Sequence, residues 1–126
     1  MLITKLEGLE VYTISLQLTK EVKGLVYKIP HYWTIPESDQ ILRSSSSIPS
    51  NIAEGFANRF YIRKLYLYLN HALGSSDETQ NHLRSLRGGN YISDQDTEEY
   101  LVRYKSLSVK ILNWMNYLRK NYPTLF

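Results

Sequence analysis

The chain has no cysteine among its 126 residues. This absence excludes thiol catalysis, disulfide bonds and cysteine-ligated zinc. No apolar run approaches the roughly 20 residues that a membrane-spanning helix needs. The first residues, Met1 to Lys5, lack the charged start and apolar run of a signal peptide. We therefore expect a soluble, cytoplasmic protein.

Recognisable catalytic motifs are also missing. No serine lies in a Gly-x-Ser-x-Gly turn, and Gly88-Gly89 is not followed by the Gly-Lys-Ser/Thr of a phosphate-binding loop. The di-iron carboxylate pattern needs Glu-x-x-His, whereas Asn81 follows Glu78 at that spacing. We expect no enzyme, no cofactor and no metal. The chain does offer one improvised metal site, which would consist of Glu54, His71, Glu78 and His82. The alternative is that these four are ordinary surface side chains.

The composition is that of one folded domain over residues 1–126. Hydrophobic residues make up 43% of the chain, enough for a core, and charged residues only 21%, which argues against disorder. The net charge of +3 permits nucleic-acid binding without requiring it. The 11 tyrosines suit interfaces and base stacking, or simply the boundary of a core.

Apolar residues recur at spacings of three and four along most of the chain, which predicts an all-α protein. The predicted helices span about residues 4–29, 35–57, 60–87 and 93–120. Three of them open with a hydroxyl residue and an acidic residue three positions later, a capping signature: Thr4 with Glu7, Thr34 with Glu37, and Ser93 with Asp96. Short connections favour an antiparallel up-down-up-down four-helix bundle. The core face of the first helix is predicted to hold Val11, Ile14, Leu18, Val22, Leu25 and Ile29.

Pro49 lies inside the second predicted helix. It has no N–H to donate to the carbonyl of Ser45, so the helix either kinks there or breaks and restarts. We expect one kinked helix. The hydroxyls of Ser44 to Ser47 are candidates to satisfy the freed backbone groups.

A polar ladder follows the same helix beside its apolar seam. Ser47, Asn51 and Glu54 are spaced by four and three, so they share one stripe of a helix. A polar strip next to buried residues indicates contact with another helix or another subunit. We expect six side chains to form a structural polar network that fixes helix register or a subunit interface: Arg43, Ser47, Asn51, Glu54, Ser75 and Glu78.

Cations alternate with aromatic residues at the start of the third helix, from Arg59 to Tyr68. Cations bind phosphates, and tyrosine rings stack on bases. The alternative is a solvated helix face with ordinary pairing, such as Glu99 with Arg103. The candidate nucleic-acid contacts are five cations and two tyrosines: Arg59, Arg63, Lys64, Arg84, Arg87, Tyr61 and Tyr66.

Two sequence blocks carry a family resemblance. One runs from Glu37 to Phe56, with Gln40, Ile41 and Arg43 in its first half and Asn-Ile-Ala-Glu-Gly in its second. The other is Ala72-x-Gly-Ser-x-x-Glu-Thr79. Together with the pair Val11-Tyr12, they resemble the bacterial 23S rRNA intervening-sequence protein family. The resemblance covers nearly the whole chain and is weakest over the fourth helix.

The resemblance implies a helical bundle that assembles into a ring, typically a pentamer, without enzymatic activity. The accessory variability proteins of diversity-generating retroelements are similar, and they are basic pentameric barrels that bind nucleic acid and a reverse transcriptase. With the basic residues, this favours a ring-shaped homo-oligomer that binds structured RNA or an RNA–protein complex. The alternative is an accessory protein that recruits a reverse transcriptase by protein–protein contact.

Overall fold

A computed structural model describes Leu6 and residues 9–126 of the chain. Over these residues the protein is all-α, as predicted, with four α-helices and no strand. The helices are α1 (Glu10–Tyr27), α2 (Pro36–Ala57), α3 (Ile62–Gly88) and α4 (Asp94–Asn121), and short 3-10 turns cover Tyr32–Thr34 and Pro123–Leu125. None of the described helices combines the length and the apolar character needed to cross a bilayer.

The ends of the helices differ from the prediction mainly in α1. This helix begins at Glu10 after an extended Leu9, so the predicted continuous helix from Thr4 is wrong. The predicted capping pair of Thr4 and Glu7 lies outside the described residues. The helix also ends at Tyr27, a full turn short of Pro30 rather than directly before it.

One of the two other predicted caps is confirmed. The Ser93 hydroxyl accepts a hydrogen bond from the Asp96 N–H at 3.0 Å, which satisfies an otherwise free donor at the start of α4. The predicted cap at Thr34 is wrong. Thr34 ends a 3-10 turn, where its hydroxyl donates to the His31 carbonyl at 2.7 Å, and extended Ile35 takes the cap position of α2.

All four helices contribute to one hydrophobic core. The sequence pattern also predicts core positions on the other three helices: Ile41, Ser45, Ile48, Ile52 and Phe56 on α2, Ile62, Leu65, Leu69, Ala72, Ser76, Thr79, Leu83 and Leu86 on α3, and Leu101, Tyr104, Ser108, Ile111, Met115 and Leu118 on α4. All of these are buried except Ile62 and Ser108, which are half-buried. In α1 the prediction was partly wrong, because Ile14 and Leu25 are only half-buried. The buried positions of α1 are Val11, Ser15, Leu18, Thr19, Val22 and Val26.

Pro49 explains why polar Thr19 takes a core position. Helix α2 continues through Pro49 as a single helix, so the alternative of a break is wrong. The Thr19 hydroxyl donates to the Ser45 carbonyl at 2.9 Å, which is the carbonyl that Pro49 leaves without its helical donor. Of the serines that were expected to help, Ser44 to Ser46 instead bond back within α2, as Ser46 does to the Leu42 carbonyl at 2.8 Å. The Ser47 hydroxyl pairs with Ser75 of α3.

In the polar contacts between two helices, the residue positions run in opposite order: the further along one helix a contacting residue lies, the nearer its partner lies to the start of the other helix. Six side-chain contacts have this order: Ser44–Thr79 and Ser47–Ser75 join α2 to α3, Ser76–Ser108 and Arg87–Glu98 join α3 to α4, and Glu10–Lys110 and Glu21–Arg103 join α1 to α4. The last turns of α2 and α4 therefore lie near the first turns of α3 and α1. Gly55 permits a close approach there, since a Cβ at Gly55 would lie 3.2 Å from Leu65 Cδ1 and from Tyr68 Cβ.

Candidate nucleic-acid interface

The turn between α2 and α3 places a cation among aromatic rings. The Arg59 guanidinium carbon lies 4.2 Å from the Phe56 ring centroid and 4.7 Å from that of Phe60. Its Nη1 donates to the Phe56 carbonyl at 3.0 Å. Phe60 is 81% exposed, more than any other large hydrophobic residue in the described part of the chain. The turn thus displays an aromatic face with a positive charge fixed beside it.

The first turn of α3 continues this surface. Tyr61 is 65% exposed, and the Lys64 ammonium lies 5.2 Å from its ring centroid. Arg63 is also exposed. A groove of about 360 Å³ is lined by side chains of this segment and by one from the far end of the chain: Phe60, Tyr61, Ile62, Arg63, Lys64 and Leu125.

The end of α4 adds residues that the sequence prediction missed. The Phe126 ring packs on Tyr66 with 4.7 Å between centroids, and the Arg119 guanidinium lies 5.6 Å from each of these two rings. Lys120 follows on the exposed side of the helix. The sequence offered no local signal for Arg119, because its place in this surface depends on how the end of α4 packs beside the start of α3.

The two segments that form this surface lie within long stretches of sequence that contain no acidic residue. No Asp or Glu occurs between Gly55 and Ser76, or between Tyr100 and Phe126. The nearest acid on α2 is Glu54, one residue before the first of these stretches. We call the surface formed by residues 59–66 and 119–126 the basic end. None of its cations forms an ion pair with another of the described residues, an arrangement that attracts anions.

Arg84 and Arg87 lie far from the basic end. Arg87 is 24 residues after Arg63 on the same helix, a separation of about 36 Å at 1.5 Å per residue. The Arg87 Nη1 forms an ion pair with Glu98 at 2.8 Å, and the Arg84 Nη1 donates to the Asn81 side chain at 3.2 Å. The candidate nucleic-acid contacts therefore lie towards the two ends of α3, and Arg87 is paired with an acidic residue near the start of α4.

Part of the expected polar network is present between α2 and α3. The hydroxyls of Ser47 and Ser75 lie 2.8 Å apart. The Asn51 amide donates to the Ser47 carbonyl at 2.8 Å and to its hydroxyl at 2.9 Å. These three side chains border an open polar groove of about 620 Å³. They link the two helices at one level of the bundle.

In the described part of the chain, the other three residues of the expected network form no side-chain hydrogen bond with this set, although Glu78 lines the same groove. The Arg43 Nη2 pairs with Asp39 at 2.8 Å on the exposed face of α2, and the Glu78 carboxylate lies 3.4 Å from the His82 ring nitrogen on α3. Glu54 is exposed. Arg43 and Glu78 therefore each have a partner one turn away on their own helix. Among the described residues, no three His, Asp or Glu side chains are grouped to hold a metal ion.

Buried hydroxyl pairs complete the polar contacts between helices. Thr79 Oγ1 donates to the Ser44 hydroxyl at 2.8 Å, and the hydroxyls of Ser76 and Ser108 lie 2.7 Å apart. Neither pair was identified from the sequence as a contact. Because both pairs satisfy groups that are removed from water, they favour one register of α3 against its neighbours.

Glu21 and Arg103 join α1 to α4. The Arg103 guanidinium donates to both Glu21 oxygens, at 2.8 and 2.6 Å, whereas the Glu99 that the sequence suggested as its partner lies 3.6 Å away. These hydrogen bonds hold the pKa of Glu21 below its ordinary value. Burial raises the pKa of neighbouring Tyr100. The paired carboxylate is therefore ionised wherever ordinary carboxylates are.

Comparisons with known proteins address the fold and the family. A crystal structure from Bacteroides thetaiotaomicron VPI-5482, described as a protein with unknown function from the S23 ribosomal protein family, is 24% identical in sequence. It aligns with a TM-score of 0.77 over 84% of this chain and 95% of that one, which supports the helical fold. No curated protein matches the sequence. The family profile described as 23S rRNA-intervening sequence protein matches residues 7–113. Because this match spans most of the chain, the protein belongs to the 23S rRNA-intervening sequence protein family.

Proposed function

We propose that the protein is a non-enzymatic, ring-shaped homo-oligomer that binds structured RNA, or an RNA–protein complex, through its basic end. The observation that carries the proposal is that residues 59–66 and 119–126 contain five cations and no acidic residue, and that Arg119 and Phe126 pack against Tyr66 of the first segment. Cations concentrated on one surface bind a phosphate backbone by displacing its counterions. Exposed aromatic rings among those cations add a way to bind bases.

The contacts between helices support an antiparallel up-down-up-down bundle. In each of three helix pairs, the contacting residues run in opposite order along the two helices. This topology brings the start of α3 and the end of α4 to the same end of the bundle. The basic end is thus a product of the topology as well as of the local sequence.

An exposed apolar stripe on α4 supports assembly into a ring. Val102, Val109 and Leu112 are 62%, 56% and 43% exposed, and their spacing of seven and three places them on one face of the helix. We propose that this face contacts a neighbouring subunit in a pentamer. Cyclic symmetry would then present every copy of the basic end at the same height on the ring, which multiplies the contacts available to one RNA.

Charge reversal at the basic end tests the RNA-binding proposal. Arg63→Glu with Lys64→Glu changes the net charge from +3 to −1. Lys20→Glu with Lys28→Glu makes the same change at exposed positions of α1 and its C-terminal end and serves as the matched control. We expect the first variant to lose binding to a structured RNA in an anisotropy titration, and the control to retain most of it.

The salt dependence of wild-type binding gives a second readout. Phosphate binding weakens steeply as salt rises. A plot of log K against the logarithm of the salt concentration has a slope of about −0.7 to −0.9 for each phosphate contacted. We expect that slope to be smaller in magnitude in the double variant at the basic end. Equal losses in both double variants, or no loss in either, would contradict the placement of the site. Apolar docking does not weaken in this way, so an affinity that does not change with salt would favour a protein partner instead.

A further inference from the structure

We propose that Phe60 and Tyr61 stack on unpaired bases, so that the basic end takes the single-stranded loop, bulge or end of an RNA rather than a paired helix. The inference rests on the proposed RNA binding and specifies the part of the RNA that is recognised. It concerns two neighbouring rings in the α2–α3 turn, of which only Tyr61 was expected from the sequence to stack.

The exposure of these rings is the first argument. Phe60 is 81% exposed and Tyr61 is 65% exposed, so neither ring stabilises the bundle by full burial. Keeping two adjacent rings in water forgoes the stabilisation that their burial would give. A ligand that stacks a flat apolar face on these rings provides this missing stabilisation. Bases supply such faces only when they are unpaired at an end or unstacked in a loop.

The position of the cations is the second argument. The guanidinium of Arg59 lies against the Phe60 ring, and the ammonium of Lys64 lies near the Tyr61 ring. Each ring therefore has a positive charge within about one nucleotide's reach. Single-stranded nucleic acids are commonly bound by this combination of stacking platform and cation.

The shape of the surface is the third argument. The groove beside these rings measures about 360 Å³, at the lower end of the roughly 300–1,000 Å³ of small-molecule pockets. It therefore suits one or two bases. A paired A-form helix is a poorer occupant, because its bases are stacked inside and its deep, narrow major groove does not admit side chains.

Tyr66 is a weaker stacking candidate than the sequence suggested. Its ring is half-buried and packs against Phe126, with centroids 4.7 Å apart. The Arg119 guanidinium lies near the same ring. Tyr66 therefore packs within the basic end, whereas Phe60 and Tyr61 present their rings to solvent.

The test compares two RNAs and two variants of the full chain. The RNAs are a hairpin with an unpaired loop that contains 2-aminopurine, and a blunt duplex of equal charge. The test variant is Phe60→Leu with Tyr61→Leu, which keeps apolar side chains and removes the rings. The control is Trp33→Leu, which removes a ring that is 71% exposed at the opposite end of the bundle. Light scattering checks that each variant keeps the wild-type mass.

We expect wild-type protein to bind the hairpin more tightly than the duplex and to change the 2-aminopurine fluorescence. Removing both rings should weaken hairpin binding by on the order of tenfold or more, since stacking contributes substantially for each base, and should abolish the fluorescence change. Duplex binding, and all binding by the Trp33→Leu variant, should stay within about twofold of wild type.

Other outcomes overturn the inference in distinguishable ways. Equal binding of hairpin and duplex that needs Arg63 and Lys64 but not the rings would retain the RNA-binding proposal and refute stacking. A wild-type protein that binds neither RNA would refute both proposals, and binding to anionic lipid vesicles instead would assign the surface to membranes. A change in subunit number in the ring variant would assign Phe60 and Tyr61 to a subunit contact.

Discussion

The hydrogen bond from Thr19 to the Ser45 carbonyl leads to a quantitative prediction about stability. Ser45 is fully buried and Thr19 is 6% exposed, so water does not replace the bond if it is lost. Thr19→Val keeps the shape of the side chain and removes the hydroxyl. An unsatisfied buried carbonyl costs about 1–3 kcal/mol, and we expect the free energy of unfolding to fall by that amount.

The Thr19 hydroxyl has one hydrogen and two acceptors within reach. The Ser15 carbonyl lies 2.8 Å away and the Ser45 carbonyl 2.9 Å away. The Ser15 carbonyl already accepts the helical N–H of Thr19, as every carbonyl four residues earlier does in an α-helix. The Ser45 carbonyl has no such donor because residue 49 is proline. The predicted loss therefore belongs mainly to the bond with Ser45.

A double-mutant cycle isolates this effect. Pro49→Ala restores an N–H that can donate to the Ser45 carbonyl, so Thr19→Val should cost less in that background, with a coupling energy of about 1 kcal/mol or more. Urea denaturation at one fixed protein concentration measures each variant. Thr13→Val is the control, because the Thr13 hydroxyl is exposed and bonds only within its own helix region. An equal cost of Thr19→Val in both backgrounds would refute the reasoning.

Three further predictions concern single positions. Gly74→Ala should stabilise the isolated subunit by about 0.5–1 kcal/mol, because Gly74 is inside α3 and a Cβ there meets nothing within 4 Å; destabilisation in urea would contradict this. Tyr104→Phe should leave stability unchanged or raise it by about 1 kcal/mol, since the buried Tyr104 hydroxyl has no partner among the described residues; a large loss on thermal unfolding would contradict it. The lowered pKa of Glu21 means that its pairing with Arg103 stabilises the fold above the ordinary carboxyl pKa of 4.5, and that this contribution is lost as the pH falls through the lowered value. Glu21→Gln should therefore flatten the acid side of the stability profile, and an unchanged profile would contradict the assignment.

The fold was predictable where the apolar period was regular. Helices α2, α3 and α4 repeat apolar residues at three and four, and their predicted seams are buried apart from Ile62 and Ser108. Helix α1 was misassigned because Thr19 is buried for a reason that lies on another helix, the missing N–H of Pro49. A hydrophobic pattern uses only the polarity of each residue itself. It therefore does not predict that a polar side chain is buried because it bonds to a backbone group on another helix.

The candidate site was predictable only where its residues are neighbours in sequence. Arg59, Tyr61, Arg63 and Lys64 form one short segment and lie together on the structure. Arg119 comes from the far end of α4 and required the helix arrangement to be identified. Arg87 was included among the candidate contacts for its charge, and its ion pair with Glu98 became evident only once α3 and α4 were packed together.

Multi-angle light scattering tests the central claim most directly. Wild-type protein is measured with and without a structured RNA at low and at high salt. The account predicts a particle of about five subunits that gains the mass of RNA at low salt and loses it at high salt, since phosphate contacts weaken as salt rises. A monomer, or a ring whose mass does not respond to RNA at any salt concentration, would contradict it.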